Sequence, residues 1–162
     1  MPASLTLRPA TPADIPHAYA LLEALYQHEQ LPVAFALTPQ QLEQAWFGLP
    51  VLGYAWLATL PTELTPVGLL HYSVRLATFT GQAVLHIEDL MVTPAYQGQG
   101  IGRALLGQAY TVAKGLGAIR ITLELNETNT LAEAFYRKQG FAPSLSSAYS
   151  IWSCPLPNAL LC

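Results

Sequence analysis

Charge is the scarcest ingredient of this 162-residue chain: Asp, Glu, Lys and Arg make up only 10% of it, against 52% hydrophobic residues. So little charge leaves apolar surface that a partner chain can cover. An excess of basic residues is also missing. The formal net charge of −3 argues against a nucleic-acid binder, which needs a basic face. No apolar run reaches the length of a membrane span. The opening "MPASLTLRPATPAD" shows no basic region followed by a long apolar core, so no signal peptide is expected. Cysteine is limited to Cys154 and Cys162 near the C-terminus. That excludes a disulfide framework and metal-site spacing, and a reducing cytoplasm is the expected location. Internal repeats, low-complexity segments and long linkers are absent too, so residues 1–162 are expected to form one domain with a real core.

What is present is a regular alternation of strand and helix patterns. "SLTLRPA" alternates apolar and polar residues and predicts a first strand. "TPADIPHAYALLEALYQHEQL" predicts a helix, with Thr11 as N-cap, Pro12 at the first position, and Ala18, Leu21, Leu22, Leu25 and Tyr26 on one face. "TPQQLEQAWFG" repeats the Thr-Pro opening and stops at Gly48. "YAWLATL" and "VGLLHYSVRL" predict neighbouring strands, and "GQAVLHIEDLMV" a further one. A helix follows over 100–116, with Ile101, Leu105, Ala109, Val112 and Leu116 at helical spacing. "AIRITLEL" predicts a strand, "TNTLAEAFYRKQG" a helix ending at Gly140, and "FAPSLSSAYSIWSCPL" at least one last strand. The expected fold is a single mixed α/β domain, a twisted sheet of six to seven strands flanked by about four helices.

Between the strand ending at Val92 and the next helix lies "VTPAYQGQGIGRALL", with Gly98, Gly100 and Gly102 at alternate positions. A helix N-terminus offers unpaired N–H groups and a partial positive charge, and glycine lets backbone approach a ligand closely. Together they suit a phosphate. Gln97 and Arg103 can add donors. The same loop would also serve as a tight strand-to-helix turn without a ligand. A Walker A loop needs Gly-Lys-Ser/Thr, whereas Arg103 and Ala104 follow Gly102. A dinucleotide fingerprint needs two residues between its second and third glycines, and only Ile101 stands there.

"LMVTPAYQGQGIGRALL" resembles the coenzyme A motif of the GNAT N-acetyltransferase superfamily, Gln/Arg-x-x-Gly-x-Gly/Ala, through Gln97, Gly100 and Gly102. Downstream, "NTLAEAFYRKQGF" is similar to a second family motif through Asn129, Ala132, Phe135, Tyr136, Gly140 and Phe141. The resemblance implies a cofactor, acetyl-coenzyme A. It implies that the backbone of Leu90, Met91 and Val92 pairs with the pantetheine arm. The loop of Gln97, Gly98, Gln99, Gly100, Ile101, Gly102 and Arg103 is implied to hold the pyrophosphate, with Asn129, Phe135 and Tyr136 beside the arm and thiol. It also implies that Tyr136 is the acid for the departing thiolate; a phenol with pKa of about 10 stays protonated at neutral pH. Without the motif, Tyr136 reads as a core tyrosine packed beside Phe135.

Acetyl transfer to an amine needs a group or water path to take the amine proton, and donors for the carbonyl oxygen. "IEDLMV" supplies Glu88 and Asp89 at a strand end. Successive strand residues point to opposite faces, so the two carboxylates are expected to do different work. Glu88 is the candidate catalytic carboxylate, as a base, a holder of a relay water or an amine anchor. His86 lies two residues earlier on the same face and reads as a packing residue.

The front half, "ALYQHEQLPVAFALTPQQLEQAWFG", is similar to the first two helices of the diamine (spermidine/spermine and thialysine) acetyltransferase branch. "VGLLHYSVRLATFTGQAVLHIEDLMV" resembles that branch's pair of strands, including the Gly81 turn. The likeness implies an acceptor site lined by Tyr26, Glu29, Glu88 and Asp89, and a homodimer. The chain departs at Gln27, where the branch usually carries an acid. A polyamine carries several charges and selects several carboxylates, so one fewer favours a smaller amine or an amino-acid-like acceptor. His28 and Arg75 are candidate contacts for a substrate carboxylate. The expected function is N-acetyl transfer to a small primary amine by direct attack in a ternary complex, without a resident metal, nucleic acid or membrane. Two other functions fit the same motifs: a non-catalytic acyl-coenzyme A sensor, and an acetyltransferase acting on a protein amine.

Overall fold

A computed structural model describes residues 4–29, 34–126, 128–143 and 151–156. Cys162 and the terminal "NALLC" lie outside the described residues, as does the whole segment 144–150. The elements run β1 Thr6–Pro9, α1 Ile15–Glu29, α2 Pro39–Phe47, β2 Tyr54–Thr59, β3 Gly68–Ala77, β4 Gln82–Val92, α3 Ile101–Gly115, β5 Arg120–Glu124, α4 Thr130–Lys138, β6 Ala142–Pro143 and β7 Ile151–Pro155. Hydrogen-bonded neighbours give one seven-stranded sheet in the order β1-β2-β3-β4-β5-β7-β6. β4 and β5 are parallel, whereas β1–β2, β2–β3, β5–β7 and β6–β7 are antiparallel. The mixed α/β class, seven strands and four helices agree with the sequence reading. Contacts divide the chain into two compact units, Met1–Tyr72 with Asp89–Gln108, and Ser73–Glu88 with Ala109–Cys162. The divisions fall inside β3 and β4, so each unit owns part of both strands.

In the first unit, local chemistry starts both helices. α1 is entered through a 3₁₀ turn, Pro12–Asp14, rather than directly from Thr11. The Asp14 carboxylate accepts from Thr11 N at 2.8 Å and Thr11 Oγ1 at 2.7 Å, and forms a two-pronged pair with Arg8 at 2.7 Å. The Arg8 hydrogen bonds hold the Asp14 carboxyl well below the usual carboxylate range. α2 opens with a reciprocal cap: Thr38 Oγ1 accepts from Gln41 N, and Gln41 Oε1 accepts from Thr38 N. Pro39 fills its first position, where a missing N–H has no consequence. The apolar faces of α1 (Ile15, Ala18, Leu21, Leu22) and α2 (Leu42, Trp46) are buried with Leu57 of β2, Leu69 of β3 and Met91 of β4. Leu57 and Leu69 are fully buried, and truncating either to alanine would cost roughly 2–5 kcal/mol.

In the second unit, β4 pairs with β5 from Val84↔Arg120 to Ile87↔Leu123, and β5 pairs along its length with β7. The apolar alternation of β5 buries Ile121 and Leu123. α4 ends at the expected glycine, Gly140, whose φ of +88° suits a residue without Cβ. The Arg137 guanidinium lies over the Trp152 ring, 4.8 Å from its centroid, which ties α4 to β7.

Candidate active site

The loop after β4 belongs to the first unit. Thr93 N donates to Val67 O at 2.9 Å, and a short 3₁₀ turn, Pro94–Tyr96, follows. Gly98 and Gly100 both take positive φ, +74° and +84°. An L-residue is strained there, and a Cβ at Gly98 would face open space. Gly102 differs: it sits inside the first turn of α3. The first N–H groups of that 15-residue helix have no acceptor within the helix, and Arg103 is exposed in the same turn. This loop of glycines ahead of a helix start is open to close approach by an anion such as the pyrophosphate of coenzyme A. Gln97 is used within the protein: its Nε2 donates to Val92 O at 3.0 Å, pinning the loop to the end of β4. Gln99 Nε2 donates to Ala95 O at 3.3 Å. Of the β4 end, Met91 is buried, whereas Leu90 and Val92 are half-buried. Ile101 is buried and anchors the first turn of α3.

Asn129 and Tyr136 belong to the second unit. Asn129 Oδ1 accepts from Ala132 N at 3.0 Å and so caps α4. The sequence motif locates this residue but conceals that structural duty. Tyr136 is buried, its ring edge-on to Phe135 at 5.1 Å and to Phe141 at 5.4 Å. Phe135 is half-buried.

The carboxylates separate as strand alternation demands. Asp89 shares the Met91 face of β4, which carries the packing against α1 and α2. There it lines a cavity of about 310 Å³ in the first unit, together with Tyr26 and Glu29 of α1. Much of the remaining wall is apolar: Leu22, Leu25, Phe35, Leu37, Leu42, Ala45 and Trp46. His71 completes the lining, and its Nδ1 lies 2.8 Å from Asp89 Oδ2. A carboxylate only accepts, so this nitrogen carries the proton. Gly53 leaves room for the imidazole, since a Cβ there would come within 2.5 Å of His71 Nε2. Trp46 stacks at a tilt against His71, with centroids 5.3 Å apart, and its Nε1 is buried with no acceptor among the described residues. His71, Trp46 and Phe35 are lining residues that the motif reading did not name.

Glu88 is not part of that lining. It accepts from Ser73 Oγ at 2.6 Å, with Arg75 Nη2 and His86 Nε2 each 3.8 Å away. His86 is buried, and its Nδ1 lies 2.8 Å from Thr122 Oγ1. Burial first, and the charge of Arg75 second, lower the His86 pKa; Glu88 and Glu124 oppose them. His86 is buried as a packing residue should be, and its titration is linked by charge to Glu88. His28 is exposed at the end of α1. Among the described residues no group of three or more His, Cys, Asp or Glu is placed to hold a metal ion, and no helix is long and apolar enough to cross a membrane.

Comparison with known proteins bears on the family and the fold. The peptidyl-lysine N-acetyltransferase YjaB of Salmonella typhimurium is 45% identical over 56 residues, which cover 35% of this chain and 35% of that protein. The chain thus matches about a third of that relative's length. The thialysine N-epsilon-acetyltransferase of Bos taurus is 26% identical over 158 residues, covering 94% of this chain and 91% of that one. Among solved structures, the PaiA N-acetyltransferase of Thermoplasma acidophilum, in complex with coenzyme A, superposes with a TM-score of 0.71 at 16% identity, over 94% of this chain and 99% of the other. That likeness speaks to the fold alone. The acetyltransferase (GNAT) family model matches residues 18–141, a span that takes in the glycine loop, the Asn129–Tyr136 helix, and Tyr26, Glu29, Glu88 and Asp89. Loop, helix, strand order and sequence match converge, and the chain belongs to the acetyltransferase (GNAT) family.

Proposed function

We propose that the chain is an acetyl-coenzyme A-dependent N-acetyltransferase that acts on the primary amine of a small molecule by direct attack in a ternary complex. The observation that carries the reading is the loop after β4, where Gly98 and Gly100 take positive φ just ahead of α3. The cofactor of the PaiA complex and the acceptor in the name of the thialysine enzyme support it.

Acetyl-coenzyme A supplies the acetyl group as a thioester. The N–H groups at the start of α3, with Arg103, bind the pyrophosphate. Backbone of Leu90, Met91 and Val92 positions the pantetheine arm, and Asn129 and Phe135 flank it. Asp89 and Glu29 hold the acceptor amine, with Tyr26 beside them. Glu88 receives the amine proton through water, consistent with its exposure. As the C–N bond forms and the C–S bond breaks, the Tyr136 hydroxyl gives its proton to the thiolate. Its ring packs edge-on to Phe135 and Phe141. The reading includes a homodimer, supported by exposed apolar residues such as Leu49, Leu52 and Phe79, and a cytoplasmic location.

The test is thermal denaturation with coenzyme A and acetyl-coenzyme A, followed by thiol release with a panel of amines. Both ligands are expected to raise the melting temperature, and at least one amine to release thiol. No shift with either ligand sinks the reading. A shift without turnover across a wide panel turns it into an acyl-coenzyme A sensor. Light scattering at the mass of one chain sinks the dimer alone.

A further inference from the structure

We infer that the acceptor taken by the Asp89 cavity is a primary amine on a compact apolar body without a second positive charge, an alkylamine or arylalkylamine rather than a polyamine. This rests on the acetyl-transfer reading and narrows its acceptor. The cavity, at about 310 Å³, sits at the small end of the roughly 300–1,000 Å³ range of ligand pockets. Its charge supply is two carboxylates, Glu29 and Asp89, and one oxygen of Asp89 is already taken by His71 at 2.8 Å. One ammonium can be matched there. A second ammonium on the same molecule would be pressed against Leu25, Phe35 and Leu37, where burying an unpaired charge is strongly unfavourable. A hydrocarbon or aromatic body has the opposite preference, since each methylene gains by leaving water for that wall.

Trp46 braces the wall. Its Nε1–H is buried with no acceptor among the described residues, and its ring lines the same cavity. Its ring also holds His71, which in turn orients Asp89. Trp46 and His71 therefore act as positioning residues, setting how much carboxylate the cavity offers an amine.

The experiment compares hexylamine with 1,6-diaminohexane, which differ by one terminal ammonium, using thiol release at saturating acetyl-coenzyme A. The monoamine is expected to show kcat/KM at least tenfold higher, although the diamine offers two reactive ends. Equal or reversed values overturn the inference and leave acetyl transfer standing. Release from neither amine overturns the inference, and the wider amine panel then decides separately whether acetyl transfer stands. Leu37, half-buried in the wall, gives a second handle. Leu37→Glu adds a carboxylate and is expected to shrink the monoamine preference at least threefold, whereas Leu37→Met leaves it in place. A ratio untouched by Leu37→Glu, in a variant that still melts cooperatively, also overturns the inference.

Discussion

Glu88 and Asp89 are successive residues of β4, yet their surroundings have little in common. Glu88 accepts from Ser73 Oγ at 2.6 Å and lies 3.8 Å from both Arg75 and a buried histidine. Asp89 is held by His71 Nδ1 at 2.8 Å in the wall of an apolar cavity. The difference arises from strand alternation, which sends neighbouring side chains to opposite faces. It teaches that one short strand end can serve two needs that conflict in a single group. An amine anchor must stay ionised beside the substrate, whereas a proton acceptor must reach water. On the proposed reading neither carboxylate is then left to protonate the leaving thiolate, and Tyr136 is the residue proposed for that duty.

The comparison is broken most severely at Tyr136. Tyr136→Phe keeps the ring between Phe135 and Phe141 and removes only the hydroxyl. It should lower kcat by about 100-fold or more, while the melting-temperature shift with coenzyme A persists. Unchanged turnover would hand the thiolate's proton to another group. Next comes Asp89→Asn, which on the proposed reading removes an ionic hydrogen bond to the amine of about 2 kcal/mol. It should lower kcat/KM roughly 30-fold, mainly through KM. Glu88→Gln is expected to be milder, about tenfold, because water competes at an exposed carboxylate. Its effect should fall on kcat with KM nearly unchanged. Swapped KM and kcat signatures for the two variants would reverse the assignment of roles.

Much of this arrangement is legible in the sequence, and the illegible part has a physical cause. The Thr38–Pro39 helix start, the Gly81 and Gly140 turns and the positive-φ glycines Gly98 and Gly100 are local signals, written within a few residues of where they act. Alternation along β4 likewise foretells that Glu88 and Asp89 part company. It does not say which residue of β3 meets Asp89. His71 is 18 residues away in sequence, and its placement depends on the register between two strands, where a slip by one residue exchanges the faces. A signal existed nonetheless: Leu69 and His71 share a face of β3, and Leu69 packs with Met91 in the core. Phe35 and Leu37 escaped notice because they lie in the connection before α2, where no periodicity ranks them. Asn129 was found through its motif, but its role as the α4 cap was equally readable from its place just ahead of the helix.

The smallest effect sharpens the comparison from the Glu88 side. Burial holds His86 below its ordinary pKa of 6.5, with Glu88 opposing the shift. In the folded chain His86 therefore stays neutral at a pH where the unfolded chain has already bound a proton. The unfolded state gains protons first, so stability is fully present above about pH 6.5 and declines as the pH falls through the folded value. His86→Gln removes that titration, and its melting temperature should fall less than the parent's between pH 7 and pH 5. Glu88→Gln removes the charge that favours protonated His86, so its decline over the same interval should be steeper than the parent's. Asp89→Asn, on the other face of the same strand, leaves the surroundings of His86 as they are, and any change in its slope comes through His71, which Asp89 holds at 2.8 Å. Melting curves at pH 7, 6 and 5 for the four proteins decide the matter. A Glu88→Gln slope no steeper than the parent's would mean that the charge of Glu88 does not reach His86, and the electrostatic link between them would have to be abandoned.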